Sequence, residues 1–461
     1  MVPQTRTAVK AALHRGAPAE QPTEAEIPPP KLGGMEWITA VGQSTLTVTT
    51  TGTGTVTSVP AGISCPGTCS AAFSEGSVTL QARTTNGSNS FFSGWSDPAC
   101  SGPDRACVET LTHGTNSVTA AFQLMPANLI FLTSATFPTN LGSAIAYDSV
   151  CNTAASAAGI NVIAGNGYVA VTSDTTSNAV ARLGAARGWM RMDGEPFADT
   201  LTTLFKNNQV FYPIKFDELG HPHGTEPIAT GTSFGGTYSG SACNDWTDGT
   251  GSTLVSIGNP NGGPLDWINW NTEGCTPWPF ICMGVTKNGA VGVGTVQGRR
   301  IWVSPTAFTP NATTTPDSVC QGDRPAGVTT AMAFISTTKR TAAALLDPAT
   351  SYYRPDNVFV GTGATILLNS AVGAASQLTS GIWQSGDGTY DTIGAHGVWV
   401  GSTTPTDLGT TASTCADWTD PNQLGGMVGD FTLSTSYWWN LFGANVRCSY
   451  PESIYCVQTA P

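Results

Sequence analysis

The spacing of twelve cysteines constrains this chain more than any other feature, because the last eight repeat one pattern. Cys151, Cys243, Cys275 and Cys282 stand 92, 32 and 7 residues apart, and Cys320, Cys415, Cys448 and Cys456 stand 95, 33 and 8 apart. The residues around them repeat too. Asp148-Ser149-Val150-Cys151 returns as Asp317-Ser318-Val319-Cys320, and Cys243-Asn244-Asp245-Trp246-Thr247-Asp248 returns as Cys415-Ala416-Asp417-Trp418-Thr419-Asp420. Ile130-Phe131-Leu132-Thr133-Ser134 matches Ile301-Trp302-Val303-Ser304-Pro305. One unit is therefore written twice, over 128–283 and 300–458, at an offset of about 170 residues.

An even cysteine count in a chain rich in Thr and Gly predicts disulfides and an oxidising compartment. Zinc would require short-spaced ligand pairs, and the chain offers no paired CxxC units and only 5 His. No metal site and no resident cofactor are expected on these grounds. No stretch approaches 18 consecutive apolar residues, so no transmembrane helix is expected. The opening segment carries Arg6, Lys10 and Arg15, and its most apolar run is only Ala8–Leu13. A signal peptide is thus not visible in this chain: the start lies upstream, the signal has been removed, or export is unconventional. Residues 1–42 are expected to be a disordered tail ending in the stiff spacer Pro28-Pro29-Pro30.

Residues 43–123 alternate as strands do. The runs are 44–49, 55–59, 77–82, 107–111 and 117–122, with Gly52 and Gly54 marking the first turn. Five or six short strands make a thin core, which local disulfides would staple. Cys65–Cys69 and Cys100–Cys107 is the nearest pairing of the three connectivities open to these four cysteines. Phe92 and Trp95 read as core. Through its Cys-x-x-x-Cys, its Gly94-Trp95 and its closing Val118-Thr119-Ala120-Ala121-Phe122, the stretch resembles the bacterial β-repeat modules related to internalin B repeats. That resemblance implies a spacer or stalk.

Each duplicated unit reads as a helix followed by irregular β structure, an α+β domain. Tyr147, Val150, Cys151, Ala154 and Ala158 lie on one helix face, with Gly159 at C′. Gly322, Pro325 and Gly327 should shorten the corresponding helix in the second copy. Short helices are expected at Asn178–Ala186 and Thr341–Leu346, and closing strands at 280–282 and 454–456.

The cysteine order, together with Asp193-Gly194, Pro213-Ile214, Thr230-Gly231-Thr232, Cys243–Trp246 and Cys275…Ile281-Cys282, resembles the C-type lectin-like fold, most closely its endostatin-like branch. In the second copy Val398–Ser402, Cys415–Trp418 and Cys448…Tyr455-Cys456 carry the likeness. The fold class implied is a small all-β repeat module followed by two α+β C-type lectin-like domains, at 127–286 and 299–461. The resemblance also implies nested disulfides, Cys151–Cys282 around Cys243–Cys275 and Cys320–Cys456 around Cys415–Cys448. Each outer bridge would then contribute up to roughly 4–5 kcal/mol by chain entropy.

Lectins of this kind often hold sugar through calcium, which needs six to eight oxygens. Trp270-Asn271-Thr272-Glu273 resembles their WND motif, with Thr272 in place of the acid and no EPN or QPD triplet upstream. Calcium is therefore the one ion the resemblance raises. The candidate ligand-binding residues are Asp245, Asp248, Trp270, Asn271, Glu273 and Trp278 in the first copy, and Asp417, Asp420, Trp438 and Asn440 in the second. Trp278 and Trp438 are the candidates for stacking on a sugar ring, whereas Trp246 and Trp418 read as core. His221, His223 and Glu226 form a conceivable metal trio, but only His396 lies near the matching place in the second copy, so they read as solvated loop residues.

Charge narrows the partners. The chain carries 19 basic and 31 acidic residues, a net of −12. The acidic balance argues against nucleic acid. It also argues against the heparin-like polyanions that endostatin-like domains suggest. No nucleophile elbow or catalytic triad is evident, so the chain reads as a non-enzyme. The expectation is a secreted or cell-surface recognition and adhesion protein for a carbohydrate or protein ligand. The alternatives are a hydrolytic enzyme or a purely structural envelope module on the same fold.

Overall fold

The computed structural model describes residues 43–460 apart from 85–89, 101–105, 125–126, 159, 161–166, 369–377, 391–396, 442 and 444. The expected tail, the C′ position Gly159 and His396 lie outside the described residues. The chain is mostly β, arranged in several sheets with few helices.

Residues 43–124 form β1 (Gln43–Thr51), β2 (Gly54–Val59), β3 (Ser64–Cys65), β4 (Ser70–Ser74), β5 (Gly76–Thr84), β6 (Ser90–Trp95), β7 (Ala106–Leu111) and β8 (Gly114–Leu124). They build two four-stranded sheets, ordered β4-β1-β8-β6 and β3-β2-β5-β7. Alternation decides which residues face inward: Ser44, Leu46 and Val48 are buried along β1 while Gln43, Thr45 and Thr49 are exposed. Leu46, Val56, Leu80, Val118 and Phe122 fill the core with Phe92 and Trp95. Both local disulfides, Cys65–Cys69 and Cys100–Cys107, are present. Eight strands stand where five or six were expected. β3 has only two residues, and β6 breaks register between Phe92 and Gly94, so neither shows clean alternation.

The two copies have one strand plan. The first contains β9 (Asn128–Leu132), β10 (Tyr168–Ala170), β11 (Trp189–Met190), β12 (Pro196–Ala198), β13 (Ile228–Ala229), β14 (Leu254–Gly258), β15 (Asn271–Gly274) and β16 (Ile281–Gly284). The second contains β17 (Arg299–Val303), β18 (Ala331–Ala333), β19 (Ser351–Tyr353), β20 (Phe359–Thr362), β21 (Gly397–Trp399), β22 (Leu424–Asp430), β23 (Asn445–Arg447) and β24 (Ser453–Gln458). The first orders its strands β10-β16-β9-β11-β12 and β13-β14-β15. The second repeats this as β18-β24-β17-β19-β20 and β21-β22-β23, joined by the parallel pair β21–β24. An isolated parallel bridge, Ala229–Phe280, stands at the matching place in the first copy.

The helices follow the sequence with shorter spans. Tyr147–Ala157 is helical and buries Tyr147, Val150, Cys151, Asn152 and Ala155. Asn152 tolerates burial because its amide bonds Asp148 O, Tyr168 O and Tyr168 N. The second copy keeps only Pro316–Gly322, capped by Thr315. The other two expected helices shrink to Ala179–Leu183 and a 3-10 turn at Ala342–Leu345. All four long-range disulfides pair in the nested order: Cys151–Cys282, Cys243–Cys275, Cys320–Cys456 and Cys415–Cys448.

The copies do not pack as separate bodies. One hydrophobic cluster contains Ile130, Leu132, Trp189 and Trp267 of the first together with Ile301, Trp383, Trp438 and Trp439 of the second. Their contacts are reciprocal. Gly263 N donates to Thr432 O at 2.7 Å, and Ser434 N donates to Asn261 O at 3.1 Å, on either side of the antiparallel bridge Gly262–Leu433. Gly262 and Leu433 occupy the same position in the repeat, four residues past Gly258 and Gly429, each of which lies against the backbone of a Trp (Trp267 or Trp438). Farther out, Trp383 Nε1 donates to Val210 O and Lys215 Nζ to Leu378 O, again matched positions with the copies exchanged. Such a self-complementary contact is the signature of a twofold interface, here an approximate twofold within one chain.

Candidate functional site

The repeated Cys-x-Asp-Trp motif folds in an unusual way. Cys243, Asn244, Asp245 and Trp246 have φ of 51°, 52°, 53° and 61°, and Cys415, Ala416, Asp417 and Trp418 have 51°, 56°, 54° and 69°. Each is one turn of left-handed helix built without glycine, a conformation that costs roughly 1–2 kcal/mol per residue. Four restraints hold it. The cysteine is bridged, and the Trp amide bonds the residue before the cysteine, at 2.7 Å to Ala242 O and 2.6 Å to Thr414 O. The buried indole donates to Ser173 O or Ser336 O. The aspartate accepts from one threonine's amide and hydroxyl: Thr175 at 3.0 and 2.5 Å for Asp245, Thr338 at 2.7 and 2.7 Å for Asp417.

The next acids brace the loops that follow. Asp248 accepts from the hydroxyl and amide of Thr250 and from both groups of Thr253, and these donors hold its carboxyl below the usual range. The Asn422 amide and the Gln423 side chain lower Asp420 in the same way. Asp248 and Asp420 are therefore engaged by their own loops, and Asp245 and Asp417 by a threonine of a distant segment, rather than pooled. Among the described residues the one gathering of three potential metal ligands is Cys100, Cys107 and Glu109, whose cysteines are bonded to each other. His221, His223 and Glu226 do not converge. His221 is exposed beside Asp217, while burial lowers His223, whose Nε2 has no partner.

The aromatic candidates separate. Trp270 is 39% exposed and leads into the exposed residues Asn271 and Glu273 of β15, an edge strand. Cross-strand from Gly274 stands Leu254, 52% exposed, and Leu424 at the same position of the second copy is 67% exposed. Trp278 is half-buried, its indole bonded to Gly274 O. Two candidates are corrected. Trp438 is wholly buried, packed on Phe334, Trp439 and Tyr455, so it has no face for a sugar. Asn440 is buried as well, its amide spent on Thr403 O and Gly443 N. Trp-Trp-Asn resembles a loop platform in sequence, but here the two indoles are core side chains, members of the hydrophobic cluster that runs through both copies.

No protein-family model and no curated protein matches the chain. Its chemistry is therefore read from its own residues. Several charged groups that sequence reasoning passed over are buried. Arg191 chelates Asp193 and donates to Pro213 O, with Tyr212 and Phe216 against its guanidinium. Arg354 chelates Asp356, crosses to Val210 O, and lies against Trp383 and Tyr390. The signal was available as Arg-x-Asp at matched positions of the repeat. The aspartates of Asp-Ser-Val-Cys are also matched: Asp148 accepts from Ala170 N and pairs with Arg182, and Asp317 accepts from Ala333 N and pairs with Arg340 at 3.6 Å. Their arginines are not matched, because Arg340 aligns with Ser177, and each closes the backbone turn begun at Asp174 or Thr337.

Proposed function

We propose that the protein is an extracellular or cell-surface recognition protein. On this reading it binds a carbohydrate or protein ligand through the loops of two tandem endostatin-like, C-type lectin-like domains, with the β module as a spacer. The observation that carries it is the edge of β15, where an exposed indole adjoins an amide and a carboxylate. That combination serves a sugar ring or a partner's side chain equally well, through an aromatic face with hydrogen-bonding groups beside it. The matched exposed leucines, Leu254 and Leu424, support a binding role for both edges. Six disulfides fit an oxidising compartment, and no described helix is long and apolar enough to cross a membrane.

A glycan array probed with the whole chain, with and without EDTA, tests this reading. Binding that Trp270→Ala lowers by roughly tenfold or more would support the edge as a carbohydrate site. Absence of signal in both conditions would sink the carbohydrate version and leave protein adhesion. An EDTA-sensitive signal would assign calcium to the site.

A further inference from the structure

The two copies differ at one place where the repeat predicts identity. In the first, Asp174 follows the serine that receives the Trp246 indole, and its Oδ1 accepts from Thr176 N and Ser177 N at 2.9 and 2.8 Å. Its Oδ2 reaches across to Ala144 N at 2.6 Å, closing the gap to the start of the helical segment. In the second copy Thr337 makes the same turn, accepting from Lys339 N and Arg340 N at 3.1 and 2.8 Å. A hydroxyl has no second oxygen to reach across. A cleft of about 250 Å³ stands there instead, between Thr315, Asp317, Arg340 and the left-handed turn with Asp417, floored by Ile335 and Trp418.

The geometry points to this cleft as a binding site for one neutral sugar ring, a reading that rests on the recognition function proposed above. Arg340 donates to Ala333 O and pairs with Asp317 at 3.6 Å, and its buried Nε has no hydrogen-bond partner. Opposite it, Asp417 takes two bonds from Thr338, leaving part of a carboxylate's roughly four acceptor positions open. A guanidinium facing carboxylates suits a ligand that both accepts and donates, as a row of hydroxyls does. An anion would meet Asp317 and Asp417, and an apolar group would strand three charges away from water. The volume lies below the roughly 300–1,000 Å³ of drug-sized pockets, so a single ring fits rather than an oligomer. Ile335 and Trp418, both lining the cleft, offer apolar contact to its C–H face.

The test substitutes the residue that the first copy already carries. Thr337→Asp should refill the gap without disturbing the fold, which intact disulfides and unchanged far-UV circular dichroism would verify. Titration of the full chain by ligand-observed NMR with glucose, galactose, mannose, N-acetylglucosamine and N-acetylgalactosamine is expected to show one binder that Thr337→Asp weakens by roughly tenfold or more. Arg340→Met should weaken it similarly. Unchanged affinity in Thr337→Asp, with loss in Trp270→Ala, would overturn the cleft and leave the recognition reading standing on the β15 edge. No binding of any of the five sugars to the wild type would overturn the cleft as a sugar site, while the glycan array separately decides the wider reading.

Discussion

At the scale of residues, the left-handed turns invert a common rule. Alanine to glycine normally costs about 0.5–1 kcal/mol in chain entropy, but a left-handed alanine carries roughly 1–2 kcal/mol of steric cost that glycine lacks. Ala416→Gly should therefore stabilise the protein by about 0.5–1 kcal/mol, read as a higher urea midpoint; an ordinary loss would contradict the conformation. Glu109 gives a second test. Burial, and then the neighbouring Asp97, push its carboxyl up from 4.5 to about 7. The folded module thus holds a proton that the unfolded chain releases, so its stability falls as pH rises from about 4.5 to about 7 and is level above. Glu109→Gln should flatten that slope in pH-dependent denaturation. Residue roles were the least legible part of the sequence. Nothing in Cys-Asn-Asp-Trp announces four positive φ angles, since no glycine marks them. Trp438 gave no sign of burial, because Phe334 and Tyr455 reach it only in the folded core.

Elements were legible where periodicity or spacing carried them. β1 and β8 alternate cleanly, and the helix at Tyr147 shows its apolar face. Two-residue strands such as β3, β11 and β13 hold too little sequence to register any period, and their pairing comes from tertiary contact. The disulfides tie the ends of these short elements, with Cys320 and Cys456 136 residues apart. Replacing both by alanine should cost up to about 4–5 kcal/mol. Because β9 and β17 border one core, the loss should also reach the first copy. Hydrogen exchange measured by mass spectrometry over residues 128–132 would then quicken in the variant, whereas undisturbed protection there would mean the copies unfold independently.

For the whole molecule, the repeat was plain in the sequence but the contact between its copies was not. Asn261-Gly262-Gly263 and Thr432-Leu433-Ser434 share no residue, yet they pair across the approximate twofold chiefly through backbone groups, with the Ser434 hydroxyl adding a bond to Asn261 O. Side chains at matched positions have diverged as well. Lys215 does with an amine what Trp383 does with an indole. Burial, reinforced by Arg191, puts the Lys215 amine well below its ordinary 10.5. The unfolded chain then holds more protons between that lowered value and 10.5, so stability rises with pH across this window. Lys215→Met should abolish the rise in urea midpoints on the alkaline side as pH climbs toward the ordinary lysine value. The junction has one more consequence. Two separate subunits meeting through such a surface would come apart as they were diluted, because their association depends on concentration. Joined by residues 287–298, the halves see each other at an effective concentration that no volume of surrounding fluid can lower. The pairing is thereby a property of the single molecule, and it survives at any dilution at which the molecule itself survives.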